Sequence, residues 1–370
     1  MKTLVKIAIC TIALSGCADD PGPHTHWKKV DLNTNTHFQK VFFVNSNVGF
    51  VGGDQNAALS TTVNVGNYID YAEEVHINTE PAPDYNITVS TDDPQPTLFK
   101  TTDGGDSWEK LTPPFVSTIR DIFFVNEQVG YVATANEGVH KTTDGGKTWK
   151  SVLSNIAFLG DQVILTHPYE KLYFLNEMEG FAFKKYQSFM VKTVDRGLSW
   201  TMVPSFHPAS NDSGLEYMVF PSDDFTGYAI RGRSLLKTVD GGSTWETLQF
   251  TASPAFDDAV IDDLSFLNEN VAFMIYGGAP YISTDGANHW DRVDFSPLSL
   301  IGDRVQAINE NEFYLLYHGN PRVARANISN REYVSMAPGD DKTVINDWFF
   351  TESKGFAVGL NGLVLRYEHE

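Results

Sequence analysis

Five aspartates stand in nearly the same phrase, and chemistry would first be sought there. Asp103, Asp144, Asp195, Asp240 and Asp285 each follow a Ser or Thr by two residues and precede a Trp by five. The phrases read KTTDGGDSW (100–108), KTTDGGKTW (141–149), KTVDRGLSW (192–200), KTVDGGSTW (237–245) and, worn, ISTDGANHW (282–290). A carboxylate among hydroxyls could hold a cation or carry a proton. The same residues also make a tight turn between two strands. The Asp accepts backbone N–H groups just ahead of it, and Gly at the second place after it supplies a positive φ cheaply. The Trp then opens the next strand with a broad apolar face. Five copies with one internal spacing favour the turn. Asp103 with Trp108, Asp144 with Trp149, Asp195 with Trp200, Asp240 with Trp245 and Asp285 with Trp290 are therefore read as structural pairs.

No other pattern is strong enough to carry catalysis. Any two of the 47 acidic residues could be named a glycosidase pair, so their presence decides nothing. The ten His show no HExxH or paired zinc spacing. Acidic doublets at 223–224, 257–258, 262–263 and 340–341 lack the loop of a calcium hand and read as solvated turns. No catalytic residue, metal or cofactor is expected. The net charge of −20 leaves no basic face for nucleic acid.

The chain opens MKTLVKIAICTIALSGCADD, with Lys2 and Lys6 ahead of an apolar stretch too short to span a bilayer. Leu14-Ser15-Gly16-Cys17 resembles the lipobox of bacterial lipoproteins. That resemblance implies a signal peptide over 1–16, cleavage before Cys17, and lipid on that residue. A membrane anchor in the bacterial envelope follows, on the periplasmic side or at the cell surface. The chain's second cysteine, Cys10, leaves with the signal peptide, so the mature chain has neither a free thiol nor a disulfide. Residues 17–25 read as a polar tether.

Stepping from Asp to Asp covers 41, 51, 45 and 45 residues, which marks one supersecondary unit copied along the chain. Each unit opens on a strand such as VFFVN (41–45) or IFFVN (122–126), bends through Gly into VGFVGG (48–53) or VGYVAT (129–134), and adds a third strand before the turn. Seven units can be counted. The sixth has lost the turn and puts Tyr333 in the Trp place, and the seventh stops after its third strand at Arg366. Trp27, in HWKKV, begins a strand with no turn before it, so it is the missing fourth strand. The fold class is therefore all-β, a seven-bladed propeller of four-stranded antiparallel blades, with the N-terminal strand completing the last blade. Residues 26–370 form one domain, with a long polar insertion at 54–96 on the face away from the Asp turns.

The repeated phrase resembles the Asp-box, or bacterial neuraminidase repeat. With its G-[FY]-[AV]-V bend it is similar to the photosystem II assembly and stability factors, over residues 26–367. That resemblance implies a non-catalytic platform for protein assembly, and a monomer is expected. Asp-boxes also occur in sialidases and xyloglucan-cleaving glycosidases. A sialidase would need an early Arg-Ile-Pro phrase, but the first Arg of the mature chain is Arg120. Arg120, Arg231, Arg233, Arg304, Arg322 and Arg325 read as surface charge. The remaining alternative is a glycan-binding or glycan-cleaving propeller. The short loops between second and third strands supply a candidate protein-binding face: Tyr186, Arg231, Arg233, Tyr276, His318 and Asn361.

Overall fold

The computed structural model describes residues 27–54, 96–159, 162–165, 168–184, 188–206, 214–222, 225–253, 259–295, 302–316, 323–336, 343–351 and 354–368. The described residues form seven antiparallel sheets arranged as propeller blades, with no helix among them. Their innermost strands are His37–Phe43, Ile119–Phe124, Lys171–Phe174, Leu215–Val219, Ile261–Phe266, Arg304–Asn309 and Ile345–Phe350, for blades 1 to 7. In the last blade, Trp27–Lys29 pairs antiparallel with Val364–Glu368, setting Trp27 opposite Tyr367 and Lys29 opposite Leu365. The ring is closed by a strand from the far end of the chain. Closure leaves no open blade stack to template aggregation.

Each Asp turn is held by the same bonds. In the first, Thr101 Oγ1 donates to Asp103 Oδ1 at 2.8 Å, and the Ser107 amide and hydroxyl donate to the two carboxylate oxygens at 2.9 and 2.5 Å. The Gly105 amide donates to Thr101 Oγ1 at 2.8 Å. The two residues after the Asp both take positive φ, 70° at Gly104 and 86° at Gly105. Arg196 and Ala287 occupy these left-handed places in the third and fifth turns at 66° and 67°. The departures from Gly are tolerated locally, at the ordinary cost of a side chain in that region. The Ser107 hydroxyl and amide hold the Asp103 carboxyl down to about 2, and the Thr148 pair does the same for Asp144.

Blades adhere through a repeated aromatic contact. Phe50 of blade 1 stacks on Phe124 of blade 2 with centroids 3.7 Å apart, and Tyr131 of blade 2 stacks on Phe174 of blade 3 at 3.8 Å. Tyr314 on Phe350 (3.9 Å) and Phe356 on Phe43 (4.3 Å) carry the pattern through blade 7 back to blade 1. In the first four turns the Trp meets the receiving Phe edge-on, as Trp149 does with Phe124 at 6.2 Å and 84°. Trp27 does the same to Phe350, at 5.9 Å and 83°. The tryptophan at the chain start thus fills the place that the Asp-box Trp fills elsewhere. A Cβ on Gly130 would lie 2.3 Å from the Phe124 ring, which is why the bend before the second strand needs glycine.

The lysine of the repeat clips neighbouring blades together. Lys100 Nζ donates to Gly145 O at 3.0 Å, Lys141 Nζ to Arg196 O at 2.7 Å and Lys192 Nζ to Gly241 O at 2.6 Å. Two details go beyond the four-strand reading. Blade 5 gains a fifth strand, Thr251–Ser253, parallel to His289–Arg292, and a hairpin of Ile156–Leu159 with Gln162–Leu165 stands between blades 2 and 3. Both lie in connections between blades, where the repeat imposes nothing.

Replacing Asp144 with Ala removes a carboxylate and three bonds, and is expected to cost ~1–2 kcal/mol at neutral pH, since the site is exposed and screened. The folded carboxyl titrates below its unfolded value, so its contribution is complete above about pH 4 and lost as pH falls through about 2. Urea unfolding of both proteins should show the gap between them closing across that window.

Candidate functional site: the charged axis and the surrounding face

One side chain from each inner strand converges on the axis: Lys40, Asp121, Lys171, Tyr217, Asp263, Arg304 and Asp347. In blades 1, 2, 3 and 7 it stands two places before an aromatic pair: Phe42-Phe43, Phe123-Phe124, Tyr173-Phe174 and Phe349-Phe350. In blades 1, 2, 4, 5 and 7 it directly follows a β-bulge, as between Ile119 and Asp121 or Ile345 and Asp347. An extra residue there re-aims the following side chain. The set holds three carboxylates, three cations and one phenol, so its formal charge balances.

Asp347 and Asp121 each meet a cation from the blade on either side. Asp347 accepts Arg304 Nη1 at 2.7 Å and lies 3.9 Å from Lys40 Nζ. Asp121 lies 3.5 Å from Lys40 and 3.9 Å from Lys171. Each acid also accepts a backbone N–H from the next blade: Val41 onto Asp347 at 3.2 Å, Leu172 onto Asp121 at 2.8 Å and Val305 onto Asp263 at 2.9 Å. These carboxylates therefore bolt inner strand to inner strand. One layer along, Phe349, Phe42, Phe123 and Tyr173 make an aromatic arc with centroids 5.2–6.0 Å apart.

Burial sets the acid–base character of the ring. Burial first, then Lys40 beside it, lowers Lys171 to about 8. Burial likewise raises the Asp263 carboxyl to about 6 against the pull of Arg304. Burial opposes the charge of Lys40, but Asp347 and Asp121 outweigh it and its pKa stands above the ordinary value. For Asp347, the cations Lys40, Arg304 and Lys171 outweigh burial and hold it low. Among the described residues, no group of three metal-ligating side chains could hold an ion.

The sequence reading missed this ring. It took the 262–263 doublet as a solvated turn and Arg304 as surface charge, whereas Asp263 and Arg304 both point into the axis. The signal lay at the first position of a seven-fold alignment of KVFF, DIFF, KLYF, YMVF, DLSF, RVQA and DWFF, four of which end in an aromatic pair.

The described binding-face candidates, Arg231, Arg233, Tyr276 and Asn361, lie on the side of the disc away from the Asp turns. Arg231 donates to Ser205 O at 3.2 Å and covers the Phe206 ring at 5.5 Å. Arg233 is exposed in the turn that follows. Tyr276 packs edge-on against Phe250 and Tyr281. Asn361 is exposed at a positive φ of 57° in the turn before Val364–Glu368. Tyr186, His318 and Cys17 lie outside the described residues, as does 55–95. The strand ends that flank that insertion, Asp54 and Pro96, pair with each other on the same side of the disc.

Residues 100–207 match the family described as photosynthesis system II assembly factor YCF48. The chain resembles the photosystem II assembly factors. The structure described as YCF48 bound to D1 peptide aligns over 93% of this chain and 97% of its own, at 17% identity and a TM-score of 0.59. YCF48 from Cyanidioschyzon merolae covers 92% and is itself covered to 98%, at 14% identity and 0.61. An ancestral GH74 enzyme aligns over 91% of this chain but only 45% of its own length, at 13% identity and 0.60. At these identities the structural alignments establish the fold. No curated protein matches the chain in sequence.

The ring makes an asymmetric prediction. Asp121→Leu takes the carboxylate partner from Lys171, leaves Lys40 with Asp347 alone and strands the buried Leu172 amide, and is expected to cost ~2–4 kcal/mol. Lys171→Met removes a cation whose charge the fold already disfavours, and should cost less than ~1 kcal/mol. Denaturant midpoints at pH 7 measure both.

Proposed function

We propose that this is a non-catalytic, lipid-anchored propeller of the bacterial envelope that binds protein partners on the face opposite its Asp turns. The observation that carries the reading is the YCF48-like repeat at 100–207 within a propeller that aligns with YCF48 structures over nearly its whole length. One of those structures is described as YCF48 bound to D1 peptide, which favours a polypeptide ligand for this chain. The Leu14-Ser15-Gly16-Cys17 phrase resembles a lipobox, which favours a tethered platform over a free one. The axial carboxylates are occupied by cations and backbone amides of neighbouring blades, which argues against their use as a free acid–base pair. Arg231, Arg233 and Tyr276 offer guanidinium and phenol groups of the kind that anchor protein interfaces.

A glycan-cleaving reading has one observation in its favour, the GH74 likeness. The likeness spans less than half of that enzyme, whereas the assembly factors are covered almost completely.

Cross-linking of the anchored protein in its own envelope, followed by affinity capture, tests the reading. A membrane-protein complex should be recovered, and Arg233→Glu in the exposed turn should lower its yield ~tenfold or more while thermal unfolding is unchanged. Turnover of xyloglucan or a sialoside that disappears in Asp263→Asn would overturn it.

A further inference from the structure

The Asp-turn face carries an apolar patch that the repeat does not require. The amide after each Asp donates to one carbonyl of the loop joining the first two strands, and this bond makes the loops equivalent from blade to blade. The accepting residue is Asn47 in blade 1, Gln128 in blade 2 and Asn270 in blade 5, but Met178 in blade 3 and Phe225 in blade 4. The residue before the Asp is Thr102, Thr143 and Thr284 in those same three blades, but Val194 and Val239 in blades 3 and 4. Leu198 stands where the other turns have Asp106, Lys147, Ser243 and Asn288.

These five apolar side chains are exposed: Met178 by 42%, Val194 by 58%, Leu198 by 75%, Phe225 by 65% and Val239 by 71%. They are five of the nine large exposed hydrophobics among the described residues, so more than half of that surface lies on two adjacent blades. The bond from Lys192 Nζ to Gly241 O holds the two turns together. Arg196 sits within the patch, its Nε 3.0 Å from Met178 Sδ. Among the described residues, the acids beside the patch are engaged: Asp195 and Asp240 accept from their own turns, Glu177 accepts from Asn126, and Glu179 lies 3.1 Å from Lys192 Nζ.

The direction of the closing strand says what covers this patch. Val364–Glu368 runs toward the Asp-turn face, where Arg366 bonds to Asp106 of the blade 1 turn. Trp27 pairs with Tyr367 at that end, so the chain preceding Trp27 leaves from the same face. About ten residues separate Trp27 from Cys17, a reach of at most ~35 Å. In a ring of seven, blades 3 and 4 stand directly across from blade 7. A lipid at Cys17 and an apolar patch across the disc would give the same face two points of membrane contact.

We infer that the patch formed by Met178, Val194, Leu198, Phe225 and Val239 rests on the lipid bilayer and lays the Asp-turn face flat against it, turning the opposite face toward partners. The inference rests on the anchoring proposed above. The apolar groups enter the interfacial layer, and the Arg196 guanidinium meets a lipid phosphate. With a net charge of −20, the surface suits zwitterionic more than anionic lipid.

The test separates the patch from the natural anchor. In the full mature chain, Cys17→Ser with a hexahistidine tag at that end tethers the protein to phosphatidylcholine vesicles containing nickel-chelating lipid, whether or not Cys17 is acylated in the cell. A fluorophore is attached to Leu198→Cys or Val239→Cys, or to Asn136→Cys, an exposed turn residue on the opposite face. Nitroxide-labelled lipid should remove most of the emission at 198 and 239 and leave 136 unchanged. Equal emission at all three sites while the protein remains on the vesicles would overturn the inference and leave the patch to a protein. Mass spectrometry of Cys17 from envelope-purified protein tests the anchor itself and fails separately.

Discussion

A blade of four strands cannot hide itself. Its two faces are apolar and its edges expose unpaired backbone, so it is stable only between two neighbours, and a row of blades is stable only when the row becomes a ring. The contacts between blades serve that constraint. The stacked pairs from Phe50–Phe124 round to Phe356–Phe43 cover the faces. The lysines clip each turn to the next, and the axial carboxylates bolt inner strand to inner strand. The closing strand Trp27–Lys29 finishes the last sheet and joins the chain's ends. The hydrophobic contacts supply most of the cohesion, because aromatic stacks between blades bury large areas. The charged axis adds register, since each acid must meet both a cation and one particular amide.

The division of labour has a consequence for function. The Asp turns and their tryptophans are committed to structure, with each carboxylate saturated by its own turn. The axial charges are largely committed as well. What varies freely is the set of connections at each end of the disc, and these are what a partner or a membrane would read. Fold and function are thus carried by different residues of the same repeat.

Much of the architecture was legible in the sequence because the repeat spells it out. The Asp turn recurs five times with a fixed Trp, and Trp27 could be assigned to the incomplete seventh unit by its neighbours alone. The axial ring was harder to see because its members complement one another instead of copying one another. Lys, Asp, Lys, Tyr, Asp, Arg and Asp have no one side chain in common, and the pattern appears only when the opening strands of all seven units are aligned. The fifth strand of blade 5 and the hairpin after blade 2 had no signal, since they occupy connections that differ in every unit. Of the binding-face candidates, Arg231 and Tyr276 could be placed at strand ends, but their packing against Phe206 and Phe250 depends on how distant connections fold back.

Native-state hydrogen exchange of the closing strand tests the ring most directly. The Val30 amide, which donates to Val364 O at 2.9 Å, and the amides of 364–367 should exchange only through global unfolding, with the same opening free energy as the inner strands of blades 2 and 5. Exchange of these amides at rates typical of a frayed terminus, while the other blades remain protected, would contradict a ring held shut by its first strand.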